Sequence, residues 1–237
     1  NGYIHFAWLP PATYSYANQR GFADARMVSN HFGVYQYGVQ FLANANSGYQ
    51  IYFDPLQDKN VADASVALAQ FEGKTPCLVE PGSLSGYLIP LGFLAENKVT
   101  WNEPLLLRSS TGIVRALYIT GICDYGMTFA ISGDPRTSSA VQQDLTDSLQ
   151  RVPIIWRSEP VIPNLGLAFL PDIPSNMQAN IEFSLQDMAK SEEGRRLLST
   201  ANNYEIQDLL SIDDQYYQRF RELLAYSNVN LRDFIGK

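Results

Sequence analysis

Histidine is nearly absent from this chain, with His5 and His31 the two examples. No Cys-x-x-Cys or His-x-x-x-His spacing occurs, so a structural or catalytic metal site is not expected. Cysteine is as scarce. Cys77 and Cys123 each lie in a strand-like run and could pair if those strands are neighbours in an oxidising compartment. Two buried free thiols is the reading the sequence favours. No apolar run is long enough to span a bilayer. The chain opens at Asn1-Gly2 without Met and without a signal-peptide pattern, as expected of a processed export precursor or a trimmed chain. Charged residues are few, at 17%, and 46% hydrophobic content excludes disorder and allows a sizeable core or two lobes. The net charge is −7. Nucleic acid and acidic membrane surfaces are poor partners for that field, and an anionic ligand would need local donors to hold it.

Against these absences, the segment from Gly73 to Pro90 is rich in signal. It reads as a short buried strand (Cys77 to Val79), a Pro81-Gly82 turn, and a small-residue run that opens a helix continuing through Leu94. Hydroxyls of Ser83 and Ser85 would meet free N–H groups where that helix begins, a site for an anion such as phosphate. An ordinary serine N-cap accounts for the same residues.

The rest alternates between strands and helices. Strands are expected at 3–9, 35–42, 105–107, 123–129, 153–157 and 165–170. Helices are expected at 12–19, at 61–71 with Val61, Ala64, Ser65 and Leu68 on one face, and at 113–119, closed by Gly121. After Pro174 the chain reads as almost wholly helical. Ile181, Leu185 and Met188 would share one buried face, and Tyr216, Phe220 and Leu223 another, with Asp213 and Asp214 at the start of the last helix. This alternation predicts a parallel sheet covered by helices.

Four segments resemble the substrate-binding proteins of phosphate/phosphonate ABC importers, the periplasmic phosphonate-binding family. They are Ile4 to Tyr14 (a strand ending in Trp-Leu-Pro-Pro-Ala-Thr-Tyr), Gly73 to Pro90, Arg108 to Ala116 with Gly121 to Asp124, and Ser158 to Asn164. The resemblance covers nearly the whole chain. It implies an α/β, two-lobed periplasmic-binding-protein-like (type II) fold with a hinge and the ligand held between the lobes. Lobe I would comprise residues 1–38 and 166–237, and lobe II residues 39–165. The chain opens at what would be the third strand of lobe I, so the family's first strand, helix, strand and helix are expected to precede it in a longer protein.

The same resemblance implies ligand contacts at Tyr14, Tyr35, Ser83, Ser85, Gly86 and Ser109, no cofactor, and the membrane subunits of an importer as partners. Location would be periplasmic or extracytoplasmic, the full-length protein being either free or lipid-anchored. Tyr14 and Tyr35 could donate phenolic O–H bonds or wall the pocket, and Tyr14 could equally be a packed core aromatic. Asp124 matches a family position but also fits a strand boundary. Departures bear on ligand identity. Pro10 stands in place of a Gly, Ser110 in place of a His, Tyr37 in place of a small residue, and 44–60 reads as an extra excursion. Arg108 and Arg115 lie near Ser109; Arg108 occupies a family Gly position, and Arg115 is expected on a solvated face.

The resemblance thus implies a receptor for a phosphorus oxyanion: phosphate, phosphite or a phosphonate. A ligand-sensing domain of a signalling receptor would share fold and pocket. A phosphoester-directed enzyme is the weaker alternative. In Gly82-Ser83-Leu84-Ser85-Gly86, Leu84 occupies the nucleophile's position of a hydrolase elbow, and neither histidine lies beside these serines in sequence.

Overall fold

The computed structural model describes residues 4–229 and Arg232. Tyr3, the expected start of the first strand, lies outside them. Two compact units divide the chain. The first takes the residues up to Tyr37 together with Val161–Arg221, the second Gly38–Pro160 and Glu222–Val229.

The chain opens with β1 (Phe6–Leu9), α1 (Pro11–Asn18) and β2 (Asp24–Asn30). Pro11 suits the first turn of α1, where its missing N–H has no intrahelical acceptor. β3 (Gln36–Leu42) leads into the second unit. There follow β4 (Phe53–Asp54), β5 (Lys59–Asn60), α2 (Ala64–Ala67), β6 (Pro76–Leu78) and α3 (Ile89–Glu96). β7 (Leu105–Leu106), α4 (Ser110–Ile119), β8 (Tyr125–Ala130), α5 (Ser139–Gln142), α6 (Ser148–Arg151) and β9 (Ile154–Arg157) complete the block. The chain returns through β10 (Ile162–Pro163), β11 (Gly166–Phe169), α7 (Ser175–Lys190), α8 (Glu192–Asn202), β12 (Asp208–Ser211) and α9 (Gln218–Tyr226).

In the first unit the sheet order is β1-β11-β2-β12, and all neighbours are antiparallel. Met27, Leu167, Phe169 and Leu209 pack on one side against Ile181 and Leu185 of α7 and Leu198 of α8. Met188, expected on that face, is more than a third exposed, and Ala189 is buried instead. The i, i+4 row from Ile181 through Leu185 runs on to Ala189. At the other end of the unit, Tyr14 lies against Tyr217 with ring centroids 4.2 Å apart. A tight 3₁₀ turn (Asp214–Tyr217) opens α9, so Tyr217 rather than Tyr216 is fully buried.

In the second unit β3 pairs antiparallel with β8, β8 parallel with β6, and β6 parallel with β7. β9 flanks β3 antiparallel. The expected parallel sheet is therefore confined to three strands. Parallel neighbours need a crossover, and the chain makes one through α3, from β6 to β7, and one through α4, from β7 towards β8. α4 packs Ile113, Val114 and Leu117 on one sheet face with Leu42, Val152 and Ile154. The opposite face buries an aromatic cluster in which Phe71 stacks on Tyr125 at 4.1 Å and Phe93 meets Trp156 at 5.4 Å.

Two local expectations are corrected, and a third segment gains a structure. Cys77 and Cys123 form a disulfide, because Cys123 lies in the loop that brings the chain from α4 back beside β6. The helix expected from Val61 starts at Ala64. Val61 still donates its N–H to the Tyr52 carbonyl beyond the β4–β5 hairpin, and a 3₁₀ turn (Leu68–Phe71) ends the element. Part of the 44–60 excursion is the β4–β5 hairpin itself. Asn60 exchanges side-chain bonds with the Arg157 main chain, and Arg157 pairs with Asp58 at 2.8 Å.

Candidate functional site

β6 is fully buried, and its chain emerges at Val79. The Val79 N–H donates to the Gly86 carbonyl at 3.0 Å, folding the intervening residues back on the strand end. Ser83 takes an extended backbone and its Oγ accepts from the Gly86 N–H at 3.0 Å. It is the N-cap of one wide helical turn (Leu84–Leu88), closed by the Ile89 N–H on the Leu84 carbonyl and continuing into α3. A helix start leaves its first N–H groups without an intrahelical acceptor, which here include those of Leu84 and Ser85. Gly86 is buried, and a Cβ there would fall inside contact distance of the Val79 side chain.

A second cap stands beside the first. Ser109 follows β7, and its Oγ accepts from the Gly112 N–H at 3.0 Å at the start of α4. The two strand ends are tied together: Leu107 N–H donates to the Leu78 carbonyl at 2.8 Å, and Arg108 N–H to the Val79 carbonyl at 2.9 Å. Ser83, Ser85, Gly86 and Ser109 thus gather at the carboxyl ends of two adjacent parallel strands. That edge of an α/β sheet is where ligands bind. The Gly86 N–H is committed to Ser83 rather than free. A serine hydroxyl that accepts one bond still has its own proton to donate, so Ser83 and Ser109 retain a donor each.

Tyr14 and Tyr35 belong to the first unit. Tyr14 is buried; its hydroxyl donates to Asp214 at 2.6 Å and accepts from the Ala25 N–H at 3.2 Å. Burial first, then the bond to Asp214, pushes its pKa well above the phenol range. Both bonding directions of that hydroxyl are occupied within the unit. The half-exposed Tyr35 donates to Asp208 at 2.7 Å. Burial and that carboxylate push its pKa up to about 12, so it stays protonated. Asp208 went unnoticed in the sequence because no local signal links it to a tyrosine 173 positions away.

Asp124 has a structural assignment. Its carboxylate accepts the Thr75 N–H at 2.8 Å and its own N–H donates to the Thr75 carbonyl, clamping the amino ends of β6 and β8. Arg115 reaches Asp144 and the Ala140 carbonyl. His31 lies in the first unit, bonded through Nδ1 to the Glu205 carbonyl and stacked on Tyr204. Among the described residues no cluster of His, Cys, Asp and Glu could hold a metal ion, and no helix is long and apolar enough to cross a membrane.

This architecture is that of the two-lobed periplasmic solute-binding proteins, which bind their solutes without turning them over. Within that class, the chain belongs to the periplasmic substrate-binding proteins of phosphonate ABC transporters, whose family model matches residues 1–217. That family works outside the cytoplasm. Among solved structures, the chain is similar to the binding-protein component of an ABC phosphonate transporter from Pseudomonas aeruginosa. Identity is 17%, with 96% of this chain and 70% of that one covered and a TM-score of 0.55. PhnD1 from Prochlorococcus marinus, in complex with methylphosphonate, is similar at 11% identity, covering 95% and 79%, with a TM-score of 0.57. A Xanthomonas citri protein bound to ATP gives 17% identity, 99% and 81% coverage, and a TM-score of 0.64. No curated protein matches the sequence.

Proposed function

We propose that this protein captures a phosphorus oxyanion (phosphate, phosphite or a phosphonate) and delivers it to the membrane subunits of an ABC importer. The observation that carries this reading is the pair of serine-capped helix starts, Ser83 and Ser109, tied edge to edge at the ends of β6 and β7. A phosphoryl or phosphonyl head presents three oxygens in a small tetrahedron. Hydroxyls and unpaired N–H groups converging at two helix starts supply short donors for it, and both helix dipoles favour its charge. Ser83, Ser85 and Ser109 are the proposed donors, and Gly86 gives the turn its close approach. The Tyr35 hydroxyl gives its one proton to Asp208, so Tyr35 takes the other role the resemblance implies, a wall of the pocket. Tyr14, with both bonding directions occupied, serves as a support in the first unit. In this role the full-length protein would work outside the cytoplasm, free or lipid-anchored.

The test is a thermal-shift screen of phosphate, phosphite, methylphosphonate, 2-aminoethylphosphonate, sulfate and simple carboxylates. A ligand at a hundredfold above its Kd adds about 2.7 kcal/mol, roughly 5–10 °C for a chain of this size. A shift with a phosphorus oxyanion but not with sulfate, lost in the Ser83→Ala/Ser85→Ala double variant, is the expected result. A shift that survives the double variant would refute the site.

A further inference from the structure

Arg108 joins the two serine caps. Its N–H is bonded to Val79 at the root of the first turn, and Ser109, the next residue, caps the second. Its φ of 61° lies in the left-handed region, where a side chain is unfavourable and glycine is preferred. The residue is exposed. Other arginines are engaged: Arg115, Arg136 and Arg157 with carboxylates, and Arg20 and Arg151 over tyrosine rings. Among the described residues the Arg108 guanidinium has no such partner, and Glu80, exposed on the neighbouring turn, does not pair with it.

We propose that Arg108 is the charge-selecting residue of the oxyanion site, supplying the one formal positive charge and favouring ligands in their dianionic form. This rests on the phosphorus-oxyanion reading above. Neutral hydroxyl and N–H donors distinguish weakly between one and two negative charges. A guanidinium adds a charge-assisted, two-pronged contact that strengthens with the second charge. In a protein of net charge −7, that local charge also offsets an unfavourable field.

The experiment is calorimetric titration of the whole chain with inorganic phosphate and with methylphosphonate, at about pH 6 and about pH 8, spanning the second ionisation of the phosphoryl group. Wild type, Arg108→Gly, Arg108→Lys and Ser83→Ala/Ser85→Ala are compared, with Tm recorded for each. Arg108→Gly should bind about 10- to 100-fold more weakly at the higher pH, with a smaller loss at the lower pH. Its Tm should stay level or rise, because glycine suits the backbone there. Arg108→Lys should fall between. Undiminished affinity of Arg108→Gly at both pH values, with binding lost in the serine variant, would overturn the role of Arg108 and leave the site standing. Undiminished affinity in the serine variant, or no binding of either probe by wild type, would overturn both.

Discussion

Cys77 and Cys123 are joined in a disulfide across 46 positions, and every proposed donor of the second unit lies between them. Cys77 is fully buried in β6, while Cys123 lines a cleft of about 700 Å³ at the amino edge of the sheet, with Lys74, Asp124 and Arg151. The bond therefore fixes the root of β6 at the edge opposite the serine caps. Its presence also fits a protein that works in an oxidising compartment.

Closing a loop of this length stabilises by about 4 kcal/mol through the entropy of the unfolded chain. The Cys77→Ser/Cys123→Ser variant should therefore melt roughly 10 °C lower than wild type. Adding reductant should bring wild type to the same Tm and leave the variant unmoved. Equal melting of the oxidised and reduced protein would show that β6 needs no such closure.

Asp214 contributes to the acid side of the stability profile. It accepts from Arg221 at 2.5 and 2.7 Å and from the Tyr14 hydroxyl at 2.6 Å, and the Arg221 bonds hold its carboxyl below the ordinary value of 3.8. A depressed folded-state pKa contributes stability that is complete above 3.8 and is lost as pH falls through the lower, folded-state value. Its side chain is 46% exposed, so the effect is modest, about 1 kcal/mol or less. Urea midpoints of wild type and Asp214→Asn should differ by a constant amount at neutral pH and converge in acid below 3.8. A gap of the same size at every pH would place the effect in packing rather than in charge.

Much of the candidate site was legible because its signals are local. Ser83 and Ser109 each cap a helix three residues upstream of a glycine, a spacing visible in sequence. What is lost is what depends on distant partners. β2 gives no alternating pattern, because Ala25, Met27, Val28 and Ser29 are all buried in a strand paired on both sides, and it was not expected. β12 hides in a stretch read as helical. It is an edge strand of four residues with Leu209 buried and Leu210 outward, too short to show a period. The disulfide was unreadable for a related reason, since pairing depends on the return of the chain before β8 and not on anything near either cysteine.

Gly86 offers the sharpest separation of geometry from chemistry. Its N–H is held by Ser83, its carbonyl holds Val79, and the missing side chain is what lets the turn lie against the end of β6. An added Cβ would come within 2.7 Å of the Val79 Cβ, closer still to one of its methyl groups, and 3.0 Å from Ser83 Oγ. Gly86→Ala should therefore push the turn away from the strand, costing about 1–3 kcal/mol. The donors at Ser83 and Ser85 would then move relative to Ser109, whose cap is anchored separately through Gly112. Oxyanion affinity should fall tenfold or more, because hydrogen bonds to an anion weaken steeply with misalignment. Val79→Ala in the same chain removes the methyl group in closest approach and should recover part of both losses. Denaturant melts and phosphate titrations of wild type and the two variants check this, and a Gly86→Ala protein as stable and as tight-binding as wild type would mean that the turn does not pack on Val79 as described.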